Sequence, residues 1–350
     1  MSTLNGKERL LITGGAGFIG SHCISYFCRK GFDVVVVDNL SRKGATHNLQ
    51  WLKESVNFRF YQSDIRDYLA MQTIFQQECP FDVIIHLAAQ VAVTTSVLDP
   101  RTDFDINASG ALNILECFRL FSPDALLIYS STNKVYGELN KIALVEGENR
   151  YQFPDRIGIS ESQPLDFHSP YGCSKGSADQ YVIDYARIYG LHTVSFRQSC
   201  IYGERQFGAE DQGWVAWFII AATLGIPITI CGNGKQVRDL LHIDDLVKLY
   251  DLSIIHQDIL KGEAFNVGGG YSNSLSLLKF LELLQRKKIA ISYTFGATRP
   301  GDQHIFISDN TKAKNILNWE PTIPYQDGIN RLIDWISHNR ELLKRINDIA

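Results

Sequence analysis

Several things are scarce in this sequence, and each absence removes a class of function. Cysteine is limited to seven residues, Cys23, Cys28, Cys79, Cys117, Cys173, Cys200 and Cys231. The count is odd and no two stand in CxxC spacing, so neither a disulfide framework nor a zinc cluster is indicated. The nine histidines are scattered, with no HExxH or comparable ligand pair, and no metal is expected. A basic excess is missing as well. The formal net charge is -4, which gives no reason to expect a nucleic-acid partner. No apolar run approaches the roughly 18–20 residues of a membrane span. The opening stretch MSTLNGKERL lacks the apolar core of a secretory signal. A soluble, cytoplasmic protein with no membrane partner is the expectation.

What is present is apolar mass in a regular order. The 350 residues are 45% hydrophobic, enough for one large or two ordinary domains with real cores. The run RLLIT reads as a buried strand. FIGSHCISYFCRKG reads as an amphipathic helix closed by Gly31. FDVVVVDNL is a second buried strand of near-continuous valine, as in a parallel sheet covered on both faces. Between the first strand and the helix stand Gly14, Gly17 and Gly20.

A glycine triplet alone also makes an ordinary turn. The flanking strand, helix and strand are the context in which it becomes a dinucleotide fingerprint. One glycine permits the tight turn, one admits the pyrophosphate, and one lets helix and sheet pack closely. The helix start offers its N–H groups to phosphate. Asp38 ends the second strand, where a carboxylate can accept from a ribose diol and repels a 2′-phosphate. NAD is therefore favoured over NADP, a preference that Arg42 or Lys43 could soften.

The alternation continues through VNFRFYQSDIRD, a helix over Leu69–Gln77, FDVIIHLAAQ, the helix NASGALNILECFRLF and the strand ALLIYSSTNKVYG. A long helix, SPYGCSKGSADQYVIDYARIYG, and the strand HTVSFRQSCIYG follow. The expected fold class is α/β, a Rossmann-type doubly wound parallel sheet with a smaller mixed α/β substrate domain. Residues 1–180 are assigned to the dinucleotide domain, with a later strand and helix returning to it. Residues 181–350 are assigned mostly to the substrate domain. Residues 138–165 read as a polar, irregular insertion, and DGINRLIDWISHNRELLKRI as an amphipathic helix that packs or caps.

Tyr171 and Lys175 stand at i, i+4 and share one helix face. An ammonium beside a phenol favours the phenolate, which is a suitable general base for a sugar hydroxyl. The same spacing arises by chance. Here Ser130, Ser131 and Thr132 end a strand upstream, and a hydroxyl there can hold the reacting oxygen. Cys173, at i+2, points about 200° round the helix from Tyr171 and reads as packing. His168 reads equally as a loop hydrogen-bonder or a substrate contact.

With these motifs in order, the chain resembles the extended short-chain dehydrogenase/reductase superfamily, specifically the nucleotide-sugar epimerases and dehydratases. The resemblance runs on through SDIRD, HLAAQ, SSTNKVYG, YGCSK, VRDLLHIDD, FNVGGG, RPGDQ and ILNWEP. The longer runs DNLSRKGATHNLQWL, LDFHSPYGCSKGSADQY and DQGWV resemble the branch acting on a CDP-hexose. The resemblance implies Thr132, Tyr171 and Lys175 as the catalytic set. It implies Gly14, Gly17, Phe18, Ile19, Gly20, Asp38, Asn39, Ser41, Arg42, Asp64, Ile65, Leu87, Ala88, Gln90 and Asn107 as NAD contacts, with Tyr171 and Lys175. Substrate contacts implied are Thr132, Asn133, Gln198, Arg238 and Arg299, the two arginines holding a diphosphate. Many members carry Asn where this chain has Gln198. A homo-oligomer, dimer or tetramer, is also implied.

The family's dehydratases carry an Asp-Glu pair directly after the hydroxyl residue, an acid and a base for expelling water. Here Asn133 and Lys134 stand there, so elimination is disfavoured. Hydride transfer out and back remains, with no net consumption of NAD. The competing readings are a UDP-hexose 4-epimerase and a non-catalytic NAD-binding regulator on the same fold.

Overall fold

The computed structural model describes residues 7–210, 212–299 and 301–347. Residues 1–6, Asp211, Pro300 and residues 348–350 lie outside the described residues, and with them parts of MSTLNGKERL, DQGWV and RPGDQ. The chain opens with β1 (Arg9–Thr13), α1 (Phe18–Lys30), β2 (Asp33–Asp38), α2 (Ala45–Ser55), β3 (Arg59–Gln62), α3 (Tyr68–Glu78) and β4 (Val83–His86). Two short helices, α4 (Val93–Leu98) and α5 (Pro100–Phe104), lead through a π-helical turn into α6 (Gly110–Phe121) and β5 (Leu126–Thr132). A small hairpin, β6 (Val145–Glu146) and β7 (Tyr151–Gln152), interrupts the polar insertion, which is therefore not wholly irregular. Then come α7 (Ser169–Tyr189), β8 (His192–Gln198), β9 (Cys200–Tyr202), α8 (Trp214–Leu224), β10 (Ile228–Cys231), β11 (Val237–His242), α9 (Ile243–Ile255) and β12 (Glu263–Val267). The chain ends with β13 (Ser274–Ser276), α10 (Leu277–Arg286), β14 (Tyr293–Gly296), β15 (Ile305–Phe306), α11 (Thr311–Leu317), α12 (Tyr325–His338) and α13 (Arg340–Ile346).

Seven strands form one parallel sheet in the order β12-β8-β5-β4-β1-β2-β3. This is the expected Rossmann-type doubly wound sheet, with the strand order reversing between β1 and β4. Valine and isoleucine fill β2 and β4 because both faces are covered. One face packs Ile24 and Phe27 of α1 with Leu246 and Tyr250 of α9. The other packs Phe75 of α3, Ile114 and Phe118 of α6 and Val182 of α7. Strands β8 and β12 and helix α9 lie beyond residue 180 yet belong to this sheet and its cover.

A smaller unit has its own core, with Phe218 of α8, Phe280 of α10 and Leu332 of α12. Its sheet joins β13, β11 and β15, with β9 beside β11, while β10 and β14 form a separate parallel pair. The expected single strand HTVSFRQSCIYG is divided here. Gln198 ends β8 in the large sheet, and Cys200 begins β9 in the small one. Ser199 is the crossing point: its N–H donates to Val267 O at 2.8 Å while its hydroxyl reaches Asp239. The expected terminal helix is also divided, breaking at Asn339 between α12 and α13.

The register of α7 against the sheet depends on charge. Arg197 on β8 donates through Nη2 to Asp179 Oδ2 on α7 at 2.8 Å, both side chains being out of water. Ser195 also donates to Asp179, and Arg197 Nη1 reaches Tyr136 Oη at 3.1 Å. Removing one charge from such a pair strands the other without solvent, at about 3–5 kcal/mol. Asp179→Asn is therefore expected to lower unfolding stability by that order, read as a shift of the urea midpoint at unchanged slope.

Candidate active site

The carboxyl ends of β1 to β5 and β8 open on a cleft of about 350 Å³, where ligands of doubly wound sheets bind. Gly14 leaves β1 at φ +70, a left-handed backbone conformation, and a Cβ there would lie 2.6 Å from Ala88 N. A Cβ on Gly20 would lie 2.4 Å from Gly14 O, so the turn and the helix touch backbone to backbone. Gly17 differs, since a Cβ there would meet only Gly14 O, at 3.1 Å. Its open side faces the cleft, and α1 starts there without a side-chain cap. That cradle fits a pyrophosphate.

Asp38 is buried in the wall and accepts from Ala16 N at 2.9 Å and Leu40 N at 2.7 Å. Burial pushes its carboxyl up, against the pull of those N–H groups. Asn39 Nδ2 donates to Asp64 Oδ2 at 2.9 Å, and Arg66 brings Asp64 down to about 2. Phe18, Ile19, Ser41, Arg42, Ile65, Leu87 and Ala88 line the same cleft. Gln90 and Asn107 do not. Gln90 Nε2 donates to Asp103 Oδ1 at 2.8 Å, and Asn107 Nδ2 donates to Asp103 and Ser174. Their amides are committed to bracing the chain after β4 against α7.

At the far end of the cleft, Thr132 at the tip of β5 meets Tyr171 and Lys175 from α7. The side-by-side pairing expected of the last two is altered by burial. Lys175 Nζ donates to Ser130 O at 2.6 Å and lies 4.2 Å from the centroid of the Tyr129 ring. Burial brings its ammonium down to about 7, against the pull of Asp179 and Asp103. Burial also pushes the Tyr171 phenol up to about 12, and the Thr132 hydroxyl, donating to it, pulls the other way. Without a ligand the phenol is thus protonated and Lys175 is poised near neutrality. Gln198 lines the cleft, and its Nε2 donates to Tyr250 Oη at 2.6 Å.

Asn133, Arg238 and Arg299 lie outside that cleft lining. The Asn133 side chain reaches back to Thr132 at 3.5 Å. Arg238 Nη2 donates to Asp302 Oδ1 at 2.6 Å, and Lys134 Nζ lies 3.7 Å from the same oxygen. Arg299 also acts on Asp302, and the three cations hold that carboxyl below its usual range. Cys173 is exposed rather than packed, its thiol turned toward Phe167 O. His168 pairs with Glu138 and Asp166, each at 3.5 Å, away from the cleft.

Sequence reasoning missed the opposite wall, built from Arg205, Phe207, Gln212 and Trp214. Phe207 sits on Gly44, where a Cβ would fall 2.2 Å from its ring, and Gln212 receives the Arg42 guanidinium. Only the run DQGWV hinted at this segment. Asp103, the buried acid behind Ser174, gave no signal at all.

The chain belongs to the GDP-mannose 4,6 dehydratase family, whose model matches residues 11–332. Within it, the chain is 48% identical over 336 residues to a CDP-paratose 2-epimerase of Salmonella typhi, covering 94% of this chain and 99% of that protein. The solved UDP-glucose 4-epimerase of Thermotoga maritima with UDP-glucose superposes with a TM-score of 0.81 at 33% identity, covering 95% of this chain and 99% of that one. The UDP-glucose 4-epimerase of Thermus thermophilus in complex with NAD gives 0.77 at 30% identity, covering 94% and 99%.

Two outcomes test the cradle and the charge balance. Gly17→Val places a side chain at the cleft lining at an ordinary φ of -69, its Cβ 3.1 Å from Gly14 O. It is expected to keep the melting temperature of the ligand-free protein and to purify with less than about a tenth of the wild-type NAD, measured by release and absorbance, given the loss of the phosphate contacts. Between about pH 7 and the ordinary lysine value of 10.5, the folded protein binds fewer protons at Lys175 than the unfolded chain. Its contribution to stability therefore rises with pH across that window. Ligand-free wild type is expected to gain on Lys175→Met as pH rises from 7 to 10 in paired urea titrations.

Proposed function

We propose that this protein is an NAD-dependent nucleotide-sugar epimerase that inverts C2 of CDP-paratose to give CDP-tyvelose. The observation that carries the reading is Thr132, Tyr171 and Lys175 converging at one end of a dinucleotide cleft, with Asn133 and Lys134 where an eliminating enzyme needs two carboxyl groups. The 48% identity to a CDP-paratose 2-epimerase supports the choice of sugar and carbon.

Bound NAD⁺ would supply a hydride acceptor and a positive charge in the cleft. Thr132 holds the C2 hydroxyl by a hydrogen bond and keeps it against Tyr171. The Tyr171 phenolate would take the hydroxyl proton as C2 is oxidised to a 2-keto sugar. In its charged form Lys175 stabilises the phenolate, and its ammonium is fixed by Ser130 O. Tyr171 would give its proton back to the oxygen when the carbonyl carbon is reduced from its opposite face. One stereocentre is inverted and nothing is consumed, so the cofactor is best retained. The Arg42–Gln212 contact and the Phe207–Gly44 contact across the cleft favour such retention. Arg238 and Arg299 serve the substrate's diphosphate, and the product serves the synthesis of surface polysaccharide such as lipopolysaccharide. A cytoplasmic homo-oligomer, dimer or tetramer, completes the reading.

The test is NMR of purified protein with CDP-paratose and no added cofactor. CDP-tyvelose growing to an equilibrium mixture is the expected result. No conversion with NAD⁺ added, and conversion of UDP-glucose instead, would replace this reading by a 4-epimerase. Tyr171→Phe is expected to retain NAD while losing about three orders of magnitude in kcat, the upper range for a proton-transfer group.

A further inference from the structure

Lys134 stands two residues beyond Thr132 on the short turn Asn133–Tyr136 that follows β5. Its backbone N–H donates to Thr132 Oγ1 at 3.2 Å, so the two residues move as one piece. Its side chain is mostly out of water and ends 3.7 Å from Asp302 Oδ1. That oxygen already receives Arg238 at 2.6 Å. Two cations at one carboxylate oxygen leave positive charge in excess at a largely buried place. Unmatched charge out of water is costly. An excess of this kind is suited to an anion from outside.

The chemistry of the proposed reaction says where such an anion must lie. In a nucleotide sugar the diphosphate hangs on the anomeric carbon. C2 is bonded to that carbon, whereas C4 lies across the ring from it. An enzyme that works on C4 therefore separates its phosphate-binding groups from its catalytic hydroxyl by the width of the sugar. An enzyme that works on C2 brings the phosphate close beside the catalytic hydroxyl. Lys134 is a cation on the turn that begins at Thr132, its ammonium drawn aside to Asp302 and outside the cleft lining. An acid at that position would repel a phosphate.

Resting on the C2-epimerase reading above, we infer that the Lys134 ammonium receives the sugar-bearing phosphate of the substrate, leaving Asp302 to Arg238, and so fixes C2 as the carbon presented to Tyr171. Lysine suits this role as a compact point charge on a flexible stem, able to swing from carboxylate to phosphate. Burial and the Arg238 charge bring the free lysine down to about 8. An arriving phosphate holds the proton on.

The experiment is calorimetric titration of the NAD-loaded enzyme with CDP and with CMP, which lacks the second phosphate. Lys134→Met is expected to weaken CDP by about tenfold or more, the worth of one charge-assisted contact, and CMP by less than about twofold. Lys134→Arg is expected to restore most of the CDP affinity. In wild type, which needs no variant to fold, the CDP-to-CMP affinity ratio is expected to fall as pH rises above about 8. Equal losses for CDP and CMP in Lys134→Met, no loss for CDP, or a ratio flat from pH 7 to 9.5 would each overturn the assignment. Conversion of CDP-paratose by wild type reports the parent reading separately. If conversion occurs and the ratio is unmoved, only the Lys134 assignment falls. If wild type does not convert it, C2 selection falls along with the parent reading.

Discussion

The buried pair of Asp179 and Arg197 is the interaction on which the active site depends. Tyr171 and Lys175 ride on α7, and Thr132 rides on β5. These elements can be brought together in several helical registers that bury similar apolar area, since α7 offers Ala178, Val182 and Tyr185 to the sheet. Apolar packing is tolerant of a slip; a charge pair out of water is not. Arg197 from β8, with Ser195 beside it, admits Asp179 in one place only. β5 and β8 are paired from Leu126↔His192 to Thr132↔Gln198, so fixing α7 on β8 also fixes it on the catalytic strand.

Burial then sets the chemistry. Tyr171 and Lys175 are both held out of water, and each is driven toward its neutral form. The ligand-free protein is therefore not armed. A positive charge in the cleft is what turns a protonated phenol into a base, and the proposed cofactor brings one. Asp103 and Asp179 counter the loss of charge at Lys175 from behind. The same low-dielectric interior that makes the pair costly to charge makes the charged state responsive to what is bound.

The crossing at Ser199 joins the two units chemically as well as mechanically. By releasing the chain from the large sheet and handing it to β11, it sets Arg238 on a strand directly beside the cleft wall. The segment after β9 then folds across to α2, with Phe207 against Gly44 and Arg205 stacked at 3.6 Å on the Trp51 ring. The stretch from Gln198 to Val215 thus supplies a wall of the cleft.

Local sequence determined the glycine turn, the valine strand ending in Asp38, the hydroxyl at the end of β5 and the Tyr171–Lys175 spacing. Each obeys a short-range rule: strand and helix periods, a glycine where the backbone needs one, one helix turn between partners. The family resemblance supplied the roles of scattered residues. Long-range partners decided the rest. Gln90 and Asn107 were turned from the cleft because the buried Asp103 takes their amides, and no local pattern announces such an acid. The strand expected through residue 203 was cut at Ser199 because Val267 and Asp239 compete for it. Lys134 looked only like a missing carboxylate until Asp302 and Arg238, far along the chain, were set beside it. A sequence dictates what its neighbours in the chain allow, but charges and hydrogen bonds between distant segments are chosen only when the sheets close.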